Sequence, residues 1–124
     1  VRTPEPALSQ PSLRLVDPAG VALPQDDTGL LQEYLESTTS LLEELEDAAL
    51  AFEQGRNRVE TAATIRRVLH KLKGEAGMLG FQPIERAFHE AENVFEQMPE
   101  AQRPEMLLQL KDWVFRVLVR VQRS

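Results

Sequence analysis

His70 and His89 are the only imidazoles in a 124-residue chain that has no cysteine. His70 is preceded by Arg66 and Arg67 and followed by Lys73 at i+3, Gly74 at i+4 and Gly77 at i+7. Imidazole is the side chain whose ordinary pKa suits it to act as a neutral nucleophile or base near pH 7. Lys73 and one of the two arginines can reach over it toward an anion, and a phosphoryl group is the obvious candidate. His89 and Glu92 make a second pair at i, i+3, close together in space on a helix. A carboxylate there that accepts the Nδ1–H of His70 fixes the tautomer and makes Nε2 the nucleophile.

The spacing says which way His70 points. At 100° per residue, Ile65, Val68, Leu69, Leu72, Ala76 and Leu79 share one arc, and His70 lies nearly opposite it. His70 is therefore expected to face solvent, with Arg66, Arg67, Lys73, Gly74 and Gly77 around it. A glycine inside a helix costs ~1 kcal/mol relative to alanine, and two stand here where the core needs neither. The expectation is that Gly74 and Gly77 clear side chains from one side of the imidazole, as an incoming group or another protein's active site requires.

Four amphipathic helices must hold these residues. Asp26, Asp27 or Thr28 can cap a first, whose apolar stripe is Leu31, Leu35, Leu42, Leu45, Ala49 and Phe52, with Gly55 and Asn57 ending it. Glu43, Glu44, Glu46 and Asp47 read as its solvated face. The second runs from about Val59 to Leu79 and stops at Gly80. Pro83 opens a third, with Ile84, Phe88, Ala91, Phe95 and Met98 inward, and Pro99 closes it. Pro104 opens a fourth with Leu107, Leu110, Trp113, Val114, Val117 and Val121 as its stripe. Connections of a few residues predict an all-α, up-down-up-down four-helix bundle over residues 27–124. A tight Gly80–Pro83 connection pairs the second and third helices antiparallel and brings His89 and Glu92 back toward His70. A second stripe on the fourth helix, Leu108, Phe115 and Val119, is expected to be covered by the N-terminal arm or by a partner.

Five of the eight prolines fall in residues 1–24, so residues 1–26 read as a Pro-rich extended arm or, preferably, a flexible linker. Within it, Asp17-Pro18-Ala19-Gly20 is a plausible turn between two short extended pieces.

The net charge of -6 argues against nucleic acid, whose binders need a basic face. No apolar run approaches the ~20 residues of a membrane span and no signal-peptide pattern opens the chain, so a cytoplasmic location is expected. The missing cysteines exclude disulfide scaffolds and thiolate zinc sites.

The segment His70-Lys71-Leu72-Lys73-Gly74-Glu75-Ala76-Gly77-Met78-Leu79-Gly80-Phe81 resembles the signature of histidine phosphotransfer (HPt) domains. Phe88-His89-Glu90-Ala91-Glu92-Asn93 resembles more particularly the N-terminal phosphotransfer domain of the chemotaxis histidine kinase CheA, and Leu30–Glu36 looks like the opening helix of that subgroup. The likeness covers about residues 28–122. It implies His70 as the phosphorylated residue, Glu92 as the acceptor that orients it, Lys73 as an electrostatic helper, and His89 and Gly74 completing the site. It also implies a carrier rather than a self-sufficient enzyme. A kinase domain with ATP and Mg²⁺, in cis or trans, or a phosphorylated receiver domain supplies the phosphoryl group, and this chain itself binds no cofactor. The product is a response-regulator phosphoaspartate. Glu75 departs from the CheA-like pattern, where a second glycine is usual, and is expected to lie beside the His70 face and alter partner preference.

Two rivals remain at this point. A metal site is disfavoured, because di-iron bundles need Glu-x-x-His motifs that the two histidines do not complete. The stronger rival is a helical scaffold that binds a receiver or dimerises without carrying phosphate. No Gly-rich phosphate loop supports an independent transferase. The bundle looks self-sufficient, so a monomer is expected, with the second stripe leaving dimerisation open.

Overall fold

A computed structural model describes residues 12–24 and 29–123. Four helices carry the chain: α1 (Leu31–Glu53), α2 (Arg58–Leu79), α3 (Gln82–Gln97) and α4 (Arg103–Arg123). Each of the predicted stripes turns inward, and those of α2, α3 and α4 are buried except for half-buried Leu79. Phe52, Phe88, Phe95, Leu45, Ile65 and Leu69 are at most 1% exposed and form the centre, each contributing about 1.5–3 kcal/mol by leaving water. α1 packs on α2 and α4, and α2 packs on α3; the approach of α3 to α4 is the thinnest.

The turns follow from residue type. Gly55 and Asn57 take left-handed backbone between α1 and α2 (φ 78° and 41°). Gly80 does the same after α2 (φ 77°), which lets its N–H reach back to the last turn while Phe81 N–H bonds Ala76 O at 2.9 Å. Pro83 then sits in the first turn of α3, where its missing N–H costs nothing. Phe81, 1% exposed, plugs the hairpin and packs on Tyr34 at 6.2 Å between ring centroids. This short reversal sets the register that returns Glu92 to the level of His70. The three residues expected to cap α1 lie outside the described residues; the helix begins at Leu31 with no side-chain cap from Leu30.

The described part of the arm, residues 12–24, is held to the bundle. Asp17 accepts a hydrogen bond from Ala19 N–H (3.0 Å) and opens a short 3-10 turn over Pro18–Gly20, as the Asp-Pro-Ala-Gly sequence suggests. Residues 12–24 lie against the bundle. Trp113 Nε1–H donates to Val16 O (2.6 Å), Arg120 Nη1 donates to Pro18 O (2.7 Å) and Val21 O (2.8 Å), and Val21 is buried. Leu13, Leu15 and Leu23 pack on the same core. A free linker would leave these carbonyls to water; here two long side chains of α4 claim them.

Among the described residues of the arm, 12–24, none is bonded to the second stripe of α4. Trp113 and Arg120 stand well round the helix from Leu108, Phe115 and Val119 at 100° per residue. Phe115 is 48% exposed, and Leu108 and Val119 are half-buried. Leu108 instead borders an acidic groove between α1 and α4, bridged by the Lys111–Glu46 ion pair (3.2 Å).

Candidate functional site

His70 stands on the outer face of α2 with its side chain 75% exposed, as the wheel predicts. Its Nδ1 lies 3.3 Å from Glu92 Oε2 of α3. A carboxylate offers only acceptors, so in this pair Nδ1 carries the proton and donates. Nε2 is then the lone-pair nitrogen, on a ring that projects into solvent. The other oxygen of the same carboxylate, Oε1, accepts from Lys73 Nζ at 2.7 Å. Lys73 therefore rests on Glu92 and not over His70, and Glu92, mostly sheltered at 22% side-chain exposure, joins the two α2 residues one turn apart.

The two arginines flank His70 on opposite sides. Arg66 leans to α3, where its guanidinium forms a two-pronged pair with Glu96 (Nη2–Oε1 3.1 Å) and lies over the Phe95 ring. The Arg66 bond holds the Glu96 carboxyl below the ordinary carboxylate range. Arg67 leans to α1 and pairs with Glu44. Neither reaches over the imidazole, because a carboxylate on each neighbouring helix lies nearer. Part of the Glu43–Asp47 run is thus interhelical rather than merely solvated.

The two glycines separate in role. A Cβ on Gly74 would meet nothing within 4 Å, so the space beside His70 on that side is open. A Cβ on Gly77 would come to 2.9 Å from Glu85 Oε2. That contact is to the far end of a flexible side chain on the first turn of α3, which can swing aside, so Gly77 lies under Glu85 and not in a backbone-to-backbone packing contact. The cause is the tight hairpin, which lays Glu85 across the end of α2. His89 is exposed and lines a shallow cleft with Lys73, Gln82, Glu85 and Arg86; it bonds neither His70 nor Glu92.

Glu75 sits elsewhere than expected. It turns to α1, where Ser37 Oγ donates to its Oε2 at 2.8 Å. With Tyr34, Met78 and Leu79 it walls a crevice that the sequence reading missed. The available signal was Tyr34 and Thr38, polar groups on the buried side of α1. Burial pushes the Tyr34 phenol up to about 12, with the nearby Glu75 charge adding to the effect and the Thr38 hydroxyl opposing it.

Among the described residues no group of three or more His, Cys, Asp or Glu is placed to hold a metal ion, and no helix is long and apolar enough to cross a membrane. What the site offers is an exposed, tautomer-fixed imidazole flanked by three ion pairs, Arg66–Glu96, Arg67–Glu44 and Lys73–Glu92. The sequence model of the Hpt domain family matches residues 29–118, nearly the whole bundle. The chain belongs to the Hpt domain family, whose members serve phosphorelay signalling by histidine phosphotransfer and interact with response regulators. No curated protein and no solved structure matches it.

Proposed function

We propose that His70 is the residue that carries the phosphoryl group, and that Glu92 and Lys73 prepare it. The observation that carries this reading is the Nδ1–Glu92 bond on a ring that is 75% exposed at the side chain. Nε2 attacks the phosphorus of the donor; the bond to the leaving oxygen breaks, and ADP or a receiver carboxylate departs. The resulting imidazolium keeps Nδ1–H on Glu92, whose negative charge stabilises it as it forms. In the forward step a receiver aspartate attacks the phosphorus and the P–N bond breaks, returning neutral His70. ATP and Mg²⁺ act on the partner, which supplies most of the transition-state charge stabilisation. Lys73 first shares Glu92 and lies one helical turn from the incoming phosphoryl group. Gly74 keeps the approach open, and Arg66 and Arg67 edge the docking face. His89, beside Lys73, has a supporting place.

The carboxylate partner supports the chemotaxis-kinase subgroup and direct phosphorylation by a kinase, because tuning the nucleophile matters most there. Radiolabel uptake tests the reading. The purified chain is offered a CheA-type kinase domain with ATP-Mg²⁺ and, separately, a phosphorylated receiver. Acid-labile, base-stable label is expected, and it disappears in His70→Gln, which keeps its fold because the side chain is exposed. Glu92→Gln slows uptake about tenfold or more, the effect of an orienting hydrogen bond worth ~1–3 kcal/mol. Label that survives in His70→Gln overturns the assignment; receiver binding without label from either donor supports the scaffold reading instead.

A further inference from the structure

Beside the His70 face, a crevice of about 300 Å³ opens between the start of α1 and the end of α2. Its walls are apolar at Leu30, Met78 and Leu79 and acidic at Glu33 and Glu75. Two polar atoms in it are buried without a hydrogen-bond partner: Glu75 Oε1 and the hydroxyl of Tyr34, a residue only 6% exposed. A buried acceptor left unpaired is costly, the more so when it is charged. Ser37 satisfies only the other oxygen of Glu75. Of the cations on α2, Arg67 pairs with Glu44 and Lys73 with Glu92, while Lys71, one turn before Glu75, is exposed and makes no ion pair with it. What fits is a group with an aliphatic stem and a positively charged head, whose stem lies along apolar walls while a turn of the Glu75 side chain presents Oε1, now shielded from solvent, to its N–H donors.

The rim says where that group comes from. Met78 is 87% exposed, a large apolar side chain given to solvent at the lip of the crevice. It lies eight residues after His70, about 12 Å along the same helix. Between them Gly74 carries no side chain, with open space where one would be. A protein seated on His70 whose footprint runs two turns toward the end of α2 overlies Met78 and the mouth of the crevice.

We propose that the crevice receives a lysine or arginine side chain of the receiver domain that docks over His70, with Glu75 as its counter-charge and Met78 as the apolar contact at the rim. This rests on the phosphotransfer reading above and adds a determinant of partner choice. Receivers that place a basic residue opposite Glu75 are taken as partners; those with an acidic residue there are refused by repulsion and an unpaired buried charge.

Two experiments test it independently. The first needs no receiver. The chain has three methionines, and the other two, Met98 and Met106, are 7% and 4% exposed, so the Met78 methyl is a distinct NMR reporter. Nα-acetyl-lysine methylamide should shift that methyl saturably, whereas the norleucine analogue, which lacks the ammonium, should not; Glu75→Gln should abolish the shift. Equal shifts with both probes, or none with either, overturn the proposal. The second uses a receiver that accepts phosphoryl from His70. Glu75→Gln should raise KM for that receiver at least tenfold, with the loss in KM rather than kcat. Met78→Lys, at a site too exposed to threaten folding, should do the same by placing a cation at the mouth. Unchanged KM in both variants overturns the proposal. If no receiver accepts phosphoryl while the lysine probe still binds, the phosphotransfer reading fails and the cation site stands.

Discussion

Trp113 and Tyr34 occupy comparable places at two seams of the same bundle. Each is a 6%-exposed aromatic with an apolar body and one polar atom, the kind of side chain that is costly to bury unless that atom finds a partner. At the thin α3/α4 seam the chain supplies its own filler: the arm folds over, and the indole N–H meets Val16 O. At the α1/α2 seam the Tyr34 hydroxyl has only the Thr38 hydroxyl of its own helix nearby, outside good hydrogen-bond geometry, and the crevice stays open. The difference lies in what reaches each seam. Arg120 gathers two further arm carbonyls beside Trp113, whereas the charges beside Tyr34, Glu33 and Glu75, have the wrong sign to donate. One seam is finished within the chain; the other retains an unmet need.

Substitutions at the two aromatics should therefore differ in size and sign. Trp113→Ala removes both the packing and the donor that holds the arm, and a loss of about 3–5 kcal/mol is expected in denaturant unfolding. A loss below about 1 kcal/mol would mean that the arm is dispensable and the seams alike. Tyr34→Phe removes a hydroxyl that has no partner, so stability at pH 7 should hold or rise. Its signature lies at high pH. The folded phenol titrates near 12 and the unfolded one near 10, so the folded state binds the extra proton between those values. Stability contributed by the neutral phenol is full below pH 10 and is lost as pH rises, by about 2 kcal/mol at pH 12. Tyr34→Phe should lack that part of the decline; identical pH profiles would show that the phenol is not sheltered. The smallest effect is at Gly74, where alanine meets no neighbour. Gly74→Ala should raise stability by up to about 1 kcal/mol, read as a melting-temperature rise of a few degrees. A destabilised variant would mean that the space beside His70 is already filled.

What the sequence made legible divides along physical lines. The α2–α3 hairpin and the outward aspect of His70 were readable because Gly80, Pro83 and the 3.6-residue period act locally. The Glu92–His70 approach was readable by counting along two antiparallel helices. The destinations of Arg66, Arg67 and Glu75 were not, since each is decided by which helix lies on which flank of α2, and a wheel drawn for one helix carries no neighbours. The Glu85 carboxylate over Gly77 was hidden for a related reason, lying eight residues on and across a turn. Arm docking was hidden because Trp113 and Arg120 bind backbone carbonyls, which every sequence possesses and none advertises.

Trp113 is the chain's single tryptophan, and the arm lies directly over it. Its emission is thereby an optical gauge of one local equilibrium. An indole sheltered and hydrogen-bonded to a carbonyl fluoresces differently from one in water, whereas helical circular dichroism follows the bundle. Where the two signals part company on warming, the separation measures how firmly the arm is held, in a protein carrying no added dye.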